Sequence, residues 1–441
     1  MSKTLVKFET FNNTPIGNFP LDWDIVAIGD IATFVGSGIT PKGGSNVYKK
    51  EGILFIRSQN VTFEGLLLDD VAHIDERIHK IMKRSEVFAH DVLLNITGAS
   101  IGRCCPLPEG LGTANVNQHV CAIRLPNPNR ENAIFLSSVL ASYIGESQIN
   151  KLNAGGNREG LNYQQLRAFL IPFPPTQERA DIAKILDAID KAIALTDIHI
   201  TKLKKAKAGL LHDLLTRGID EHGELRDYTR NPELFKRSVL GIIPKDWETP
   251  TIDEVTVDDS PICYGIVQTG SYVESGIPVL AIYNMGRDYR TNIHKASQLI
   301  ENRYIRSRVK PNDVLISVKG TIGRVDIVPN YFFGNISRDI ARIRLKSYIL
   351  PKYVFQTLSS QILQLQIRRT AVGTTRAEIS IWILKQLRLP LPQIEEQERI
   401  VNYLDTHNFR ISSQETRLEK LKLLKKGLMS DLLTGRVRVK I

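Results

Sequence analysis

Cysteine and long apolar runs are both scarce in this sequence of 441 residues. The four cysteines (Cys104, Cys105, Cys121 and Cys263) form no Cys-x-x-Cys pair and have no histidine at a metal-ligand spacing, which disfavours a zinc site. No apolar stretch approaches the roughly 20 residues that a membrane-spanning helix needs, and the first residues lack the apolar core of a signal peptide. These absences predict a cytoplasmic protein whose thiols stay reduced.

Enzyme motifs are missing as well. A methyltransferase acting on an amino group would carry an Asn/Asp-Pro-Pro-Tyr/Phe tetrad, and the chain has only Asn127-Pro-Asn and Asn231-Pro-Glu. No Rossmann glycine turn is followed by an acidic residue at the required spacing, no glycine loop ends in Gly-Lys-Ser/Thr, and neither HExxH nor GxSxG occurs. We therefore predict no catalytic residue and no bound metal in this chain.

Positive charge is what the sequence has in excess. Its 58 Lys and Arg against 47 Asp and Glu give a formal net charge of +11, while 42% hydrophobic and 24% charged residues describe an ordinary globular protein. Such an excess favours a polyanionic partner, for example nucleic acid. Because the length exceeds what one domain usually holds, two or more hydrophobic cores are expected.

A segment with helical periodicity occurs twice, at 176–216 and at 394–434. Apolar residues recur there at gaps of three, four and seven, the pattern of a long helix that packs in coiled-coil fashion. The copies are in phase at an offset of 218 residues; an offset of 220, which would align two Gln-Glu-Arg tripeptides, puts them out of phase. The predicted helix seam consists of Ile182, Leu186, Ile193, Ile200, Leu203, Leu210 and Leu214 in the first copy and Ile400, Leu404, Ile411, Leu418, Leu421, Leu428 and Leu432 in the second.

The duplication extends over the rest of the chain. A Gly-x-x-Pro-x-Asp-Trp motif at 17–23 recurs at 241–247, an offset of 224 residues, which falls to 220 at the Ile-Arg-Leu blocks 123–125 and 343–345. The second copy therefore loses residues between its strands while the strands persist, which is typical of a scaffold that carries different surface loops. Other matching blocks are 52–56 with 276–280, 91–93 with 313–315, and 101–103 with 322–324.

These repeats predict an α+β protein with two tandem, β-rich globular domains, each followed by a long helix. Two similar halves joined head to tail can be related by a pseudo-two-fold axis, which would pair the helices as an antiparallel coiled coil. The predicted boundaries are a first domain at 1–175, a central helix at 176–217, a polar linker at 218–230, a second domain at 231–393, a C-terminal helix at 394–434 and a tail at 435–441.

Polar side chains at glycine turns and strand ends are the candidates for contacts with DNA. Glycine lets backbone amides approach a ligand, Arg can contact phosphate or guanine, and Asn or Gln can pair with adenine. One position carries Gln118 in the first copy and Arg338 in the second, as readers of different sequences would require, although surface drift also explains the change. The candidates are Arg57, Gln59, Asn60, Thr97, Ser100, Arg103, Asn115, Gln118, Asn157, Arg158, Tyr283, Asn284, Lys319, Thr321, Arg324, Asn335, Arg338, Thr375 and Arg376.

Several duplicated motifs follow one another in a fixed order along nearly the whole chain. They are the Gly-x-x-Pro-x-Asp-Trp motif, the Asp-Val-Leu and Ile-Gly-Arg blocks, the Pro-x-Pro junctions before the long helices, and the helix ends Asp213-Leu-Leu-Thr and Asp431-Leu-Leu-Thr. In this order the chain resembles the specificity subunit of type I restriction–modification enzymes. It departs from the family's Glu-Gln pair at Arg179, for which a surface substitution is the simplest explanation.

The resemblance implies two target-recognition domains, each reading one half of a bipartite, asymmetric DNA site, and paired helices that act as a spacer and dock two modification (methyltransferase) subunits. Those subunits would bring S-adenosylmethionine for adenine methylation, and a restriction subunit that uses ATP and Mg²⁺ can join the complex. The chain itself would then be a non-catalytic subunit that binds no cofactor. Two alternatives stay open: a specificity chain of a type IIB-like restriction enzyme, and a coiled-coil scaffold whose globular domains bind protein.

Overall fold

The computed structural model describes residues 4–7, 11–153, 160–370 and 378–440. The helices are α1 (Ile28–Ile31), α2 (Glu76–Ile81), α3 (Arg130–Ala141), α4 (Tyr143–Asn153), α5 (Tyr163–Arg167), α6 (Thr176–Thr216), α7 (Gln298–Glu301), α8 (Pro351–Ser359), α9 (Gln361–Thr370), α10 (Ile381–Gln386) and α11 (Ile394–Leu432). Within the described ranges, no helix combines the length and the apolar character needed to cross a membrane.

The strands are short, as expected for sheets interrupted by many turns. They are β1 (Thr4–Lys7), β2 (Phe11–Thr14), β3 (Gly17–Pro20), β4 (Asp24–Ala27), β5 (Phe34–Ser37), β6 (Ile53–Ile56), β7 (Val61–Thr62), β8 (Gly65–Leu66), β9 (Ala72–Ile74), β10 (Glu86–Val87), β11 (Val92–Asn95), β12 (Cys104–Pro106), β13 (Ala114–Val116), β14 (Val120–Arg124), β15 (Leu170–Phe173), β16 (Phe235–Ser238), β17 (Gly241–Pro244), β18 (Cys263–Tyr264), β19 (Ile277–Leu280), β20 (His294–Ala296), β21 (Val314–Ser317), β22 (Val325–Ile327), β23 (Asn335–Ile336), β24 (Ile340–Ile343) and β25 (Val437–Lys440).

The chain divides into two compact units, and both long helices are shared between them. Unit 1 comprises Met1–His199 and Gln414–Ile441, and unit 2 comprises Ile200–Ser413. Each unit therefore contains one globular domain, the N-terminal part of the helix that follows this domain, and the C-terminal part of the other helix. The consecutive boundaries predicted from the sequence describe the repeat, whereas the compact units cut through α6 and α11.

Unit 1 contains two four-stranded sheets. The order β12-β11-β14-β5 is antiparallel, and in the order β10-β13-β6-β9 the strands β13 and β6 run parallel. Every residue of β11 is buried, because side chains on both faces of this strand are covered. Apolar side chains of β11, β14 and α3 share one core with Ile182 and Leu186 of α6 and with Leu432 of α11. The sheet thus fixes the two helical segments that belong to this unit.

Unit 2 repeats this topology with fewer strands. The order β18-β24-β21-β22 is antiparallel, and β19 pairs with β23 in parallel and with β20 antiparallel. Its core joins β21 and β24 to α8 and to the seam residues Leu214, Ile400 and Leu404. The same β–helix relation is therefore built twice from different side chains.

The predicted long helices are confirmed as α6 and α11, with the second ending at Leu432 rather than at 434. Every predicted seam residue is buried or half-buried, as the periodicity requires. In unit 1 the ion pair between Lys425 Nζ and Asp190 Oδ1, at 2.6 Å, joins the parts of α11 and α6 that this unit contains. The period of the apolar residues was thus sufficient to identify the packed face of each helix.

The segments predicted as a polar linker (218–230) and a tail (435–441) both contain described residues that pack against the domains. Ile219 lies in the core of unit 2, and Arg226 is held by Glu396. In unit 1, β25 pairs antiparallel with β1, from Thr4 opposite Lys440 to Lys7 opposite Val437. Polar composition predicted a linker, but Ile219 is buried in a core and Arg226 is paired with the buried Glu396.

Candidate nucleic-acid interface

Each domain is tied to its long helix by a hydrogen bond between tryptophan and glutamate. Trp23 Nε1 donates to Glu178 Oε2 at 3.1 Å in unit 1, and Trp247 Nε1 donates to Glu396 Oε2 at 3.0 Å in unit 2. Both indole rings and both carboxylates are buried. The glutamates are 218 residues apart, so the offset chosen from the helix seam is correct.

An arginine from the segment after the other helix completes each of these contacts. Arg438, which follows α11, donates to both oxygens of Glu178 at 2.7 and 2.6 Å and pairs with Asp22 at 2.7 Å. Arg226, which follows α6, donates to both oxygens of Glu396 at 2.6 and 3.1 Å. Bidentate pairs of this kind fix orientation as well as distance, so each domain is held rigidly on its helix.

Glycine is required at the C-terminal end of each long helix, just before the segment that carries Arg226 or Arg438. Gly218 and Gly435 have φ of +66° and +68°, in the left-handed region that ends many helices. A Cβ at Gly218 would lie 2.6 Å from Trp247 Cζ2, and one at Gly435 would lie 2.4 Å from Pro20 Cγ. The close approach to the tryptophan motif therefore excludes a larger residue in both copies.

Arg179 is buried, so its interpretation as a surface substitution was wrong. Its guanidinium lies 4.0 Å from the ring centroid of Phe173 and donates to Pro174 O at 3.0 Å. Gln397, the equivalent residue in unit 2, donates to Pro392 O at 2.9 Å. Arg179 therefore makes the same bond to the proline carbonyl before α6 that Gln397 makes before α11.

Three loops meet at one end of the sheets of unit 1, and together they form the loop surface of unit 1 (residues 57–60, 97–103 and 117–119). Asn117 N donates to Ile56 O at 3.0 Å, which joins the third loop to the end of β6. The hydroxyl of Thr97 and Nδ1 of His119 lie 2.6 Å apart, which joins the second loop to the third. Candidates that are distant in sequence are therefore neighbours in space.

Unit 2 has an equivalent loop surface (residues 281–284, 319–324 and 337–339). Ser337 N donates to Leu280 O at 2.7 Å, and Val318 N donates to Asp339 O at 2.8 Å. Arg344 donates two hydrogen bonds to the carboxylate of Asp313, at 2.8 and 2.7 Å. Arg124 makes the same bidentate pair with Asp91 in unit 1. Each ion pair fixes the start of β11 or β21, and the glycine turn follows the other end of the same strand. The two units therefore share one strand arrangement but carry different side chains on their loops.

Four predicted DNA-contacting amides are buried inside the domains, so their prediction as base readers was wrong. Asn115 is 0% exposed, donates to Met82 O and Ser85 Oγ, and lies 2.7 Å from His79 Nδ1. Asn335 is also 0% exposed and is bound by Ser307 and Glu301. Asn60 and Asn284 accept the backbone N–H three residues before them and close 3-10 turns. Asn is common in such local backbone contacts, and its identity alone did not reveal burial.

The other described candidates lie on the loop surfaces and stay predictions. Those that are exposed are Gln59, Arg103, Gln118, Tyr283, Thr321, Arg324 and Arg338. Those that are half-buried are Arg57, Thr97, Ser100 and Lys319. Asn157, Arg158, Thr375 and Arg376 lie outside the described residues.

Sequence reasoning missed three polar residues that support the candidates, namely Thr40, His119 and Asp339. Thr40 and His119 hydrogen-bond the amide of Gln118, and Asp339 lies 3.7 Å from Arg338. The only signal in the sequence was that His119 and Asp339 directly follow the candidates at 118 and 338. Thr40 is brought to Gln118 by the fold, since Gly38 N donates to Asn117 O at 3.1 Å.

No feature of the described residues suggests thiol or metal chemistry. Burial raises the pKa of Cys105 and of Cys121 to about 12, and it raises the pKa of Cys104 as well. These thiols therefore stay protonated near neutral pH and are poor nucleophiles. Within the described ranges, no group of three or more His, Cys, Asp and Glu side chains could hold a metal ion.

Replacement of Asn115 by alanine tests its structural role. The variant leaves the partners of a buried amide unpaired, and we expect the free energy of unfolding to fall by about 1–3 kcal/mol, as measured by denaturant titration. Gln59→Ala, on the exposed loop surface, is the control and should change stability by less than about 0.5 kcal/mol. Unchanged stability together with altered base preference in Asn115→Ala would restore this residue as a base reader.

Comparison with known proteins gives consistent matches over most of the chain. The family model described as the type I restriction modification DNA specificity domain matches residues 20–205 and 244–423. The EcoBI specificity subunit of the Escherichia coli type I restriction enzyme is 29% identical over 72% of this chain and 69% of its own. The MjaVIII specificity subunit of Methanocaldococcus jannaschii is 26% identical over 98% of this chain and 97% of its own. A chain from a structural study of complex assembly and conformational transition in a type I R-M system has a TM-score of 0.57 at 19% identity, over 95% of this chain and 99% of that one.

Proposed function

Because this chain belongs to the type I restriction modification DNA specificity family, we propose that it is the DNA-recognition subunit of a type I restriction–modification complex. Each loop surface would read one half of a bipartite, asymmetric site, and the chain would carry out no chemistry itself. The observation that carries this proposal is the duplication of one frame with different exposed side chains at equivalent loop positions. A formal net charge of +11 supports a DNA partner.

The long helices would pair antiparallel and form the spacer of this subunit. Contacts within each unit support that arrangement. In unit 1, residue 178 meets 438 and residue 190 meets 425, so residue numbers rise along one segment as they fall along the other. In unit 2, Ile219 N donates to Glu396 Oε1, so the end of α6 lies at the start of α11. Seam residues at both ends of this pattern are buried.

Two methyltransferase subunits would dock on these helices. In unit 1, α6 exposes Leu195 and Ile198, and α11 exposes Leu423 and Leu424. Large apolar side chains that face solvent on a helix favour contact with a further protein surface. S-adenosylmethionine, and ATP with Mg²⁺ where a restriction subunit joins, would be bound by those partners in the cytoplasm.

Salt dependence of duplex binding tests the proposed function. We expect the complex with its methyltransferase partners to bind duplex DNA, and the logarithm of its affinity to fall linearly with the logarithm of salt concentration by about 0.9 per phosphate contacted. A random duplex is the control and should bind more weakly than the preferred site at every salt concentration. Binding without any sequence preference, or no binding at low salt, would favour a scaffold that binds protein.

A further inference from the structure

One exposed position stands at the same place on both loop surfaces and carries different chemistry in each. Gln118 follows β13 and precedes β14, and Arg338 follows β23 and precedes β24. Their spacing of 220 residues equals that of the anchoring arginines Arg124 and Arg344. Both side chains are exposed, whereas the asparagines three residues before them are buried. The fold therefore presents this position outward twice.

The amide of Gln118 is held in one orientation by its neighbours. The hydroxyl of Thr40 donates to Gln118 Oε1, and Gln118 Nε2 lies 3.0 Å from Nε2 of His119. Since an amide nitrogen can only donate, His119 Nε2 is the acceptor, and its Nδ1–H then donates to Thr97 Oγ1 at 2.6 Å. Four side chains thus form one directed chain of hydrogen bonds.

This chain of bonds leaves part of the amide free. An amide has two N–H donors and two lone pairs on oxygen, so one N–H and one lone pair of Gln118 stay available. Adenine presents an acceptor and a donor side by side in the major groove, at N7 and N6, and matches that pair. Guanine presents two acceptors there and would place O6 against the amide oxygen.

Arg338 also has a polar neighbour in the next residue, Asp339. Its Nε lies 3.7 Å from Asp339 Oδ1, and its side chain is half exposed. A carboxylate near Nε leaves the two terminal nitrogens of the guanidinium free to donate forward. Guanine accepts such a pair of bonds at O6 and N7. In both copies the residue after the exposed position therefore supports it.

We propose that Gln118 and Arg338 are equivalent base-reading residues, with Gln118 selecting adenine in the half-site of unit 1 and Arg338 selecting guanine in the half-site of unit 2. His119 is a positioning residue that holds the amide of Gln118, and Asp339 is the counter-charge beside Nε of Arg338. This inference rests on the proposed function and adds the identity of one base pair in each half-site.

Reciprocal substitutions test the assignment. In the complex with methyltransferase partners, Gln118→Arg should change the preferred base from adenine to guanine at one position of one half-site, and Arg338→Gln should make the opposite change in the other half-site. Each preference should shift by about 10- to 100-fold, as measured with a randomised duplex library. Gln177→Arg adds the same charge outside the loop surfaces and should leave every base preference unchanged.

Two variants of His119 separate positioning from general stability. His119→Phe removes the acceptor for Gln118 and should relax selection at that base pair about 10-fold, with all other positions unchanged. In His119→Gln, the new amide can accept a hydrogen bond from Gln118 and donate one to Thr97, so selection at that base pair should be restored. If the complex keeps its site but none of the substitutions at 118, 119 and 338 alters one base preference, this inference is wrong while the proposed function stands. If the unsubstituted complex selects no sequence, the proposed function itself fails.

Discussion

Replacement of Arg438 by alanine is expected to lower the free energy of unfolding of unit 1 by about 3–5 kcal/mol. Arg438 is 5% exposed and neutralises Glu178 with two hydrogen bonds. Its removal leaves a carboxylate buried against Trp23 without a counter-charge. Removing one partner of a buried ion pair costs more than the pair contributes, because the other charge stays desolvated.

Hydrogen exchange followed by mass spectrometry at rising denaturant measures this effect for each unit separately. In Arg438→Ala, peptides of the first domain should exchange at lower denaturant, and those of 231–393 should keep their protection. Arg226→Ala should reverse the pattern, because Arg226 holds Glu396 in unit 2. Arg436→Ala is the matched control, since the exposed pair of Arg436 with Asp431 contributes no more than about 1 kcal/mol. Equal loss in both units, or no loss in unit 1, would show that the arginine does not hold the domain.

Periodicity and duplication made much of the fold predictable. The seam residues have a regular spacing, and a helix buries residues at that spacing wherever they occur, so α6 and α11 could be placed within about two residues. The Gly-x-x-Pro-x-Asp-Trp motif was recognisable because it recurs at 17–23 and 241–247. Its partners could not be read, because Glu178 and Arg438 are 155 and 415 residues away from Trp23 and no local pattern links them.

The candidate site was predictable only in outline. Glycine turns and strand ends predicted surface loops, and the structure places these segments in loops; their contact with DNA stays a prediction. The choice among polar residues on them failed at Asn115 and Asn335, because an asparagine can serve a buried turn as well as a base. His119 and Thr40 were missed because their role depends on bonds across loops. Exposure and partners, rather than residue type, separate Gln118 from Asn115.

Exchange of the first reading domain is expected to replace one half-site completely and leave the other unchanged. The structure sharpens the boundaries of such an exchange to residues 28–169. This segment begins at α1 and ends before β15, so that β4 and β15 keep their antiparallel pairing. Asp22, Trp23 and Glu178 lie outside this segment and stay in the recipient chain. The exchange therefore preserves their contact with Arg438. An exchange that breaks this contact would destabilise unit 1, and a loss of DNA recognition could then not be distinguished from a loss of folding.

The specificity of the complex is therefore best measured by site selection from a randomised duplex library, with the parent chain and the 28–169 exchange each bound to the methyltransferase partners. For the parent, we predict two short defined segments separated by bases that are not selected. For the exchange, one segment should take the sequence of the donor chain while the other segment and the gap length stay as in the parent. A single continuous site, or a change in both segments after the exchange, would contradict the assignment of one half-site to each unit.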